Sequence, residues 1–325
     1  MKKIFLICIL ITSCTKEVTF DIPVNINDIV VNGLIERDSN AKILLSKSVN
    51  PFNFNGSISD LQENLINDAI IILEEVNSNT TETISSLKKT KLTPVLPTDT
   101  WFYNYEGATI KGKEGYTYKL KVIYENDTLI SSTTIPKAPN TFFEPEFVFR
   151  QTDSTYCYFL ATYTDPDTIG NCLSIFTKTI NSEYPQQNLF PIDSENNAPF
   201  FKRVLDNGGN YTDEYTNGLT FTFPINNGAP AWWENWGQGD WEEEEIDGYS
   251  GPTIGFWNVY PNQQVIIKRS YLDINSWNFW ASMINNNSPG IFGTPSNVQS
   301  NINGGTGIWY GSSSKYDTIT TFPLQ

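Results

Sequence analysis

The sequence predicts a mainly β protein: an immunoglobulin-like sandwich over residues 29–136, then a larger β-rich domain over 137–325 that carries one short helix. Three observations predict it. Aromatic residues make up 14% of the 325 residues while methionine occurs only twice, a balance that suits pleated sheets better than helix bundles. Short β-prone runs follow one another between clusters of Asn, Ser, Asp, Gly and Pro. The run Tyr116–Tyr124 alternates with period two, placing Tyr116, Tyr118, Leu120, Val122 and Tyr124 on one face and Thr117, Lys119 and Lys121 on the other, the pattern of a half-buried strand.

From the N-terminus, Lys2 and Lys3 form a basic start, Ile4–Ile11 is an unbroken apolar run, and Thr12 and Ser13 lead to Cys14. Spanning a bilayer core takes ~20 apolar residues as a helix, so residues 1–13 read as a secretion signal and not as a permanent anchor. Ile11-Thr12-Ser13-Cys14 resembles a bacterial lipobox, whose cysteine takes the lipids and becomes the first mature residue, so Cys14 is the expected lipid anchor in the membrane. Residues 14–28, polar and containing Pro23, read as a tether. Lys16-Glu17 resembles part of the export signal that sends such lipoproteins to the cell-surface face of the outer membrane. Val18 stands where that signal normally carries a second acid, which leaves inward-facing attachment open as well.

The formal charge is -15, and losing Lys2 and Lys3 with the signal takes it to -17. Such a surface repels nucleic acid and anionic headgroups, so no nucleic-acid partner is expected. Cys8 leaves with the signal and Cys14 is committed to lipid, leaving Cys157 and Cys172. An extracytoplasmic compartment permits a disulfide between them. Yet Tyr156–Thr164 and Cys172–Ile180 read as the arms of a hairpin turning at Asp165–Asn171, which sets the two cysteines ~20 Å apart at ~3.3 Å per residue, against a Cα limit of ~7 Å for a bridge. Two free, buried thiols are therefore expected.

The first domain is expected to hold strands at Ile29–Ile35, Lys42–Val49, Ala69–Val76, Thr81–Leu87, Tyr116–Tyr124 and Thr128–Ile135, the last two forming a hairpin about Glu125-Asn126-Asp127. Strands at that density point to an immunoglobulin-like sandwich closing near Pro136. Beyond the linker 137–140, the second domain opens with Phe142–Phe149, continues through the hairpin just described and Leu219–Ile225, and reaches Val265–Arg269. A helix is expected around Ile274–Asn285, capped by Asp273 or Ser276, with Trp277, Trp280, Met283 and Ile284 on one face as core. Gly304–Gly311 reads as a turn, and Tyr316–Phe322 as the last strand.

Taken in order, several stretches resemble one family, the domain-of-unknown-function family 4249 of Bacteroidota outer-membrane lipoproteins. They are Val30-Val-Asn-Gly-Leu-Ile35, Ile43-Leu-Leu-Ser46, Gly115-Tyr-Thr-Tyr-Lys-Leu120 and Ser132-Thr-Thr-Ile-Pro136 in the first half. In the second half they are Asp165-Pro166 with Gly170-Asn171, Thr212–Gly218, Ser296–Ile302 and Gly304–Trp309. Together they cover nearly the whole mature chain. Genes of that family commonly sit beside TonB-dependent outer-membrane receptors, so the resemblance implies a role in nutrient uptake with such a receptor as partner, and it carries over no catalytic residues. Cys172 stands where an aromatic is common in the family, and the segment after Ile225 is longer and more acidic than the family's pattern.

The chain contains no histidine, which excludes Ser-His-Asp and Cys-His catalysis and His-ligated zinc or haem. No Gly-rich loop follows a strand and opens a helix, as phosphate binding would need. Asp165-Pro-Asp167 carries oxygens that suit calcium, but Asp-Pro and Gly-Asn are ordinary turn punctuation. No carboxylate pair stands out for glycoside hydrolysis. No enzyme activity, metal or cofactor is therefore assigned.

The most distinctive stretch is Ala229–Pro252, with Trp232, Trp233, Trp236, Trp241 and Tyr249 beside Glu234, Asp240, Glu242–Glu245 and Asp247. No Lys or Arg occurs from Val204 to Ile267, so these acids stay in water or meet a cationic partner. The aromatic residues either fold back onto the β domain or form an exposed contact patch for a ligand or partner. The expected function is a non-enzymatic accessory or ligand-binding lipoprotein of a TonB-dependent uptake system, taking a small ligand or glycan. The alternative is a structural or adhesive glycan-binding surface lipoprotein.

Overall fold

The computed structural model describes residues 28–48, 62–90, 102–149, 156–180, 202–203, 210–212, 216–225, 257–258, 264–286 and 298–320. The protein is mainly β, as the sequence predicts. Its spine is a nine-stranded sheet. Near the middle, β1 (Ile29–Glu36) and β2 (Asn40–Lys47) form a hairpin whose turn holds Asp38 at a φ of 62°. On one side of the pair come β6 (Phe102–Lys111) and β5 (Leu87–Thr90). On the other side β1 lies parallel to β17 (Thr306–Thr320), and then follow β16 (Gln264–Leu272) and β11 (Cys172–Ile180). The short β12 (Lys202–Arg203) and β13 (Asn210–Thr212) close that end against β11.

Two smaller sheets pack side by side on one face of this spine. Paired residues of adjacent strands share a face, so the register carries Ile43, Gly33 and Trp309 to one side; along β17 that side continues through Lys315 and Asp317, opposite Arg269 and Ile267. The first small sheet runs β4 (Thr80–Ile84), β3 (Ile70–Glu75), β7 (Thr117–Tyr124), β8 (Asp127–Thr134). With β1, β2 and β6 it encloses a core that includes Ile43, Leu45, Ile71, Leu73, Tyr118, Leu120 and Val122. The second centres on β10 (Tyr156–Thr164), with β9 (Phe143–Phe149) on one edge and β14 (Thr220–Ile225) and β15 (Trp257–Asn258) along the other. Phe159, Ala161, Tyr163, Phe223 and Ile225 meet Leu173, Ile175, Val265 and Ile267 of the spine in a separate core.

The strand Tyr116–Tyr124 behaves as its alternation requires: Tyr118, Leu120 and Val122 are buried, and Tyr116 and Tyr124 pack partly against the same core. Its hairpin with β8 turns at Glu125, whose φ is 51°. Cys157 and Cys172 are buried thiols outside any disulfide, as expected. The reasoning behind that expectation fails, because β10 and β11 do not form a hairpin. β10 pairs with β9, β14 and β15, and β11 with β16, β12 and β13. The connection Asp165–Asn171 crosses between layers instead of reversing within one, because the apolar face of β10 and that of β11 oppose each other across the second core. Asp165, only 5% exposed, is held there by Tyr163 Oη and Thr216 Oγ1, and its N–H donates to Leu219 O.

Two further expectations are corrected. Thr81–Leu87 is not one strand: β4 ends at Ile84 and the chain passes to β5 in the spine, and neither β5 nor β6 was anticipated. Of the glycine-rich run 304–311 only its start is a turn, since β17 begins at Thr306 and includes Gly307 and Gly311. The glycines serve packing: Gly307 has a φ of 115° and Val31 O stands where a Cβ would go, and a Cβ on Gly33 would lie 2.7 Å from the Trp309 ring. The spine also runs unbroken across Pro136, for Trp309 and Ile302 belong to the first core although they come from the end of the chain.

Candidate functional site

Cys14, Trp232, Trp233, Trp236, Trp241 and Tyr249 lie outside the described residues, as does the tether 14–27. Among the described residues, two polar clusters bear on a candidate site.

The first is the seam between the two small sheets, crossed by the linker after Ile135. Arg37 Nη1 donates to Glu114 Oε1 at 2.9 Å, and the same carboxylate accepts from Ala138 N and from Ser313 Oγ. Lys315 Nζ donates to Pro139 O at 2.6 Å and to Asn140 Oδ1 at 3.3 Å. Arg269, 5% exposed, is clamped by Asp317 at 2.8 Å and lies over the Phe143 ring at 4.1 Å. Burial pushes the Glu114 carboxyl up, but its donors outweigh that and hold it below the usual carboxylate range. Lys315 is lowered by burial and by the nearby Arg269 charge. Arg37 is thus paired with Glu114 and Arg269 with Asp317, while Lys315 is held by the linker's oxygens, and together these bonds join the two halves across the seam.

The second place is the opposite face of the spine. Asp273 follows β16 and caps the helix α1 (Ile274–Asn286), accepting from Asn275 N at 2.9 Å, Ser276 N at 3.0 Å and Ser276 Oγ at 2.8 Å. Asp273, and not Ser276, is thus the cap. The helix folds back over the outer face of β17. Its contact side includes Ser276, Phe279 and Trp280: Trp280 stands there as expected, the buried Ser276 and Phe279 were not in the expected stripe, and Trp277 is half-buried. The Met283 and Ile284 side chains lie outside the described ones. Trp280 meets Tyr310 edge-on at 5.7 Å and Phe279 at 5.1 Å.

Beside this helix the sheet carries a trough of about 260 Å³. Its floor is Leu272, Ser270, Ser174 and Ser312, contributed by three adjacent strands, and Trp280, Tyr310 and Leu34 wall one end. At the other end stand Phe176 and Lys268, whose Nζ lies 5.9 Å from the ring centres of both Phe176 and Tyr316. Lys268 is ion-paired with Glu36 at 2.8 Å, and Glu36 also accepts from Ser314 Oγ. Both members of the pair are under one-fifth exposed, so the trough carries a compensated charge and not a net one.

The sequence signal for this trough exists but is weak. Lys268, Ser270 and Leu272 alternate on β16, and Ser312 falls in a serine triplet between the expected turn and the expected last strand, through which β17 runs. Trp280 was read only as core. What brings the residues together is the pairing of three strands far apart in the chain. No protein-family model matches the chain, and no curated protein matches it.

Proposed function

We propose that this chain is a non-enzymatic outer-membrane lipoprotein, held by Cys14 and facing the cell surface, that serves as a ligand-binding accessory of a TonB-dependent uptake system. The observation that carries the binding role is the outer-face trough, a concave site with aromatic walls, a few convergent hydroxyls and a self-compensated ion pair. A non-enzymatic role is supported by the composition, which has no histidine, and by the engagement of Glu75, Glu82 and Glu114 in partners of the fold. The membrane and receptor parts of the reading rest on the basic–apolar–Cys14 start of the sequence and on the family resemblance.

Affinity purification of the tagged protein from detergent-solubilised membranes tests it. A large outer-membrane barrel is expected to co-purify. Its absence, with glycan binding retained, would replace this reading with that of an adhesive surface lipoprotein, which the hydroxyl floor of the trough also suits. Cys14→Ala should leave the protein unprocessed or in the aqueous phase; a variant that matures to normal size and still partitions into detergent would refute the lipid anchor.

A further inference from the structure

Resting on that binding role, we propose that the trough under α1 holds one neutral, hydroxylated six-membered ring, a single sugar unit either free or at the end of a glycan. Charge decides first. Lys268 and Glu36 lie 2.8 Å apart and Glu36 takes a further hydrogen bond from Ser314, so an anion would have to displace Glu36 and a cation would have to displace Lys268. Either exchange opens a mostly buried ion pair, which is costly, whereas a neutral ligand leaves it intact. A zwitterion fails for the same reason.

The floor decides next. Ser270 and Ser314 hydroxyls lie 3.4 Å apart; Ser174 and Ser314 stand on either side of Ser270 on the neighbouring strands, and Ser312 stands beside Leu272. A hydroxyl both donates and accepts, so a floor of serines suits the hydroxylated edge of a ligand. A wholly apolar ring would lie against these hydroxyls without offering them a hydrogen bond.

The walls and the size complete the argument. Trp280 and Tyr310 stand nearly perpendicular, at 82°, and Phe176 stands across the floor from them. Aromatic faces of this kind pack against the C–H faces of a ring whose edges carry hydroxyls. At about 260 Å³ the trough is smaller than the ~300 Å³ at which pockets for drug-sized ligands begin, which limits the occupant to one ring.

The test is titration calorimetry of the purified full mature chain with glucose, galactose, mannose and N-acetylglucosamine. Cyclohexanol, which has the ring and one hydroxyl, and glycine, a zwitterion, serve as comparisons. At least one sugar should saturate, with cyclohexanol and glycine binding more weakly. Trp280→Ala should weaken that sugar about tenfold, Trp280→Phe less, and Ser270→Val, which fills the floor without touching the walls, about tenfold again. Melting temperatures taken alongside identify any variant that has lost its fold; if Trp280→Ala does, Ser270→Val and Trp280→Phe still decide. The proposal is overturned if no sugar saturates, if cyclohexanol or glycine binds as well as the best sugar, or if that binding is unchanged in folded variants. Glycine binding lost in Ser270→Val would leave a ligand-binding lipoprotein with a different ligand class. Loss of sugar binding alongside a co-purified barrel would remove the ligand class and keep the accessory role, whereas failure of both would remove both readings.

Discussion

Glu82 shows how one side chain can replace a missing strand. It points inward from β4 with 9% of its surface exposed, and its carboxylate accepts from Ala108 N, Thr109 N and Ile110 N at 2.6, 3.0 and 2.8 Å. β5 is paired with β6 only as far as Tyr105, so these donors lie past the end of that ladder, and Glu82 ties the two sheets there. Burial pushes its carboxyl up, but the backbone donors more than offset this and hold it below the ordinary 4.5. Glu75, bonded to Ser78, Lys113 and Tyr118, is lowered in the same way against its own burial. A carboxyl lowered by folding stabilises fully above its unfolded value and ceases to do so as pH falls through the folded one. Melting temperature should therefore be flat above about pH 4.5 and drop below it, and Glu82→Gln should flatten that drop; an unchanged acid slope in the variant would refute the assignment. At neutral pH Glu82→Ala should cost about 3 kcal/mol in denaturant unfolding, because buried N–H donors lose their acceptor. Gly307→Ala should cost about 3 kcal/mol as well, since a φ of 115° is closed to side-chain-bearing residues and Val31 O occupies the space.

At the scale of elements, the local rules hold wherever an element is decided by its own residues. The β7–β8 hairpin and the Asp273 cap follow from turn and capping chemistry within a few positions. Asp273→Ala should destabilise α1 by about 1 kcal/mol and, by loosening Trp280 against Tyr310, weaken any ligand of the trough; an unchanged far-ultraviolet spectrum and melting curve would show that the cap is dispensable. The local rules fail at 165–171, where Asp-Pro and Gly-Asn mark a turn but do not say which layer the next strand joins. Thr306–Gly311 fails differently: four glycines in the run 304–311 argue against a strand by propensity, yet β17 needs Gly307 and Gly311 where Val31 and Ile135 crowd its backbone.

At the scale of the whole molecule, the last described strand completes the first core. Trp309, fully buried, donates its indole N–H to Tyr118 O at 3.0 Å, while Asn301 clamps its backbone at 2.7 and 2.9 Å. On the other edge of that half, Ser131 Oγ donates to Asn301 O and Thr133 Oγ1 accepts from Gly311 N, which closes the gap between β8 and β17. A fragment of residues 29–136 should accordingly show no cooperative unfolding, and Trp309→Ala in the full chain should cost about 4 kcal/mol; a fragment that melts cooperatively would show that β17 is dispensable to this half. Denatured mature protein, unreduced, should titrate thiols at Cys157 and Cys172, and in the folded state Cys157 should resist modification, since burial pushes its thiol up to about 12. The sequence by itself determined the mainly β class, most strand positions, the helix and the chemistry ruled out by the lack of histidine, because period-two burial, turn residues and composition act over a few neighbours. Only the tertiary structure decided that β1 pairs with β17, that β10 and β11 part into different sheets, and that Ser174, Ser270 and Ser312 share a floor under Trp280. Those choices depend on which apolar faces meet across the cores and which distant strands find each other, and local patterning does not encode them.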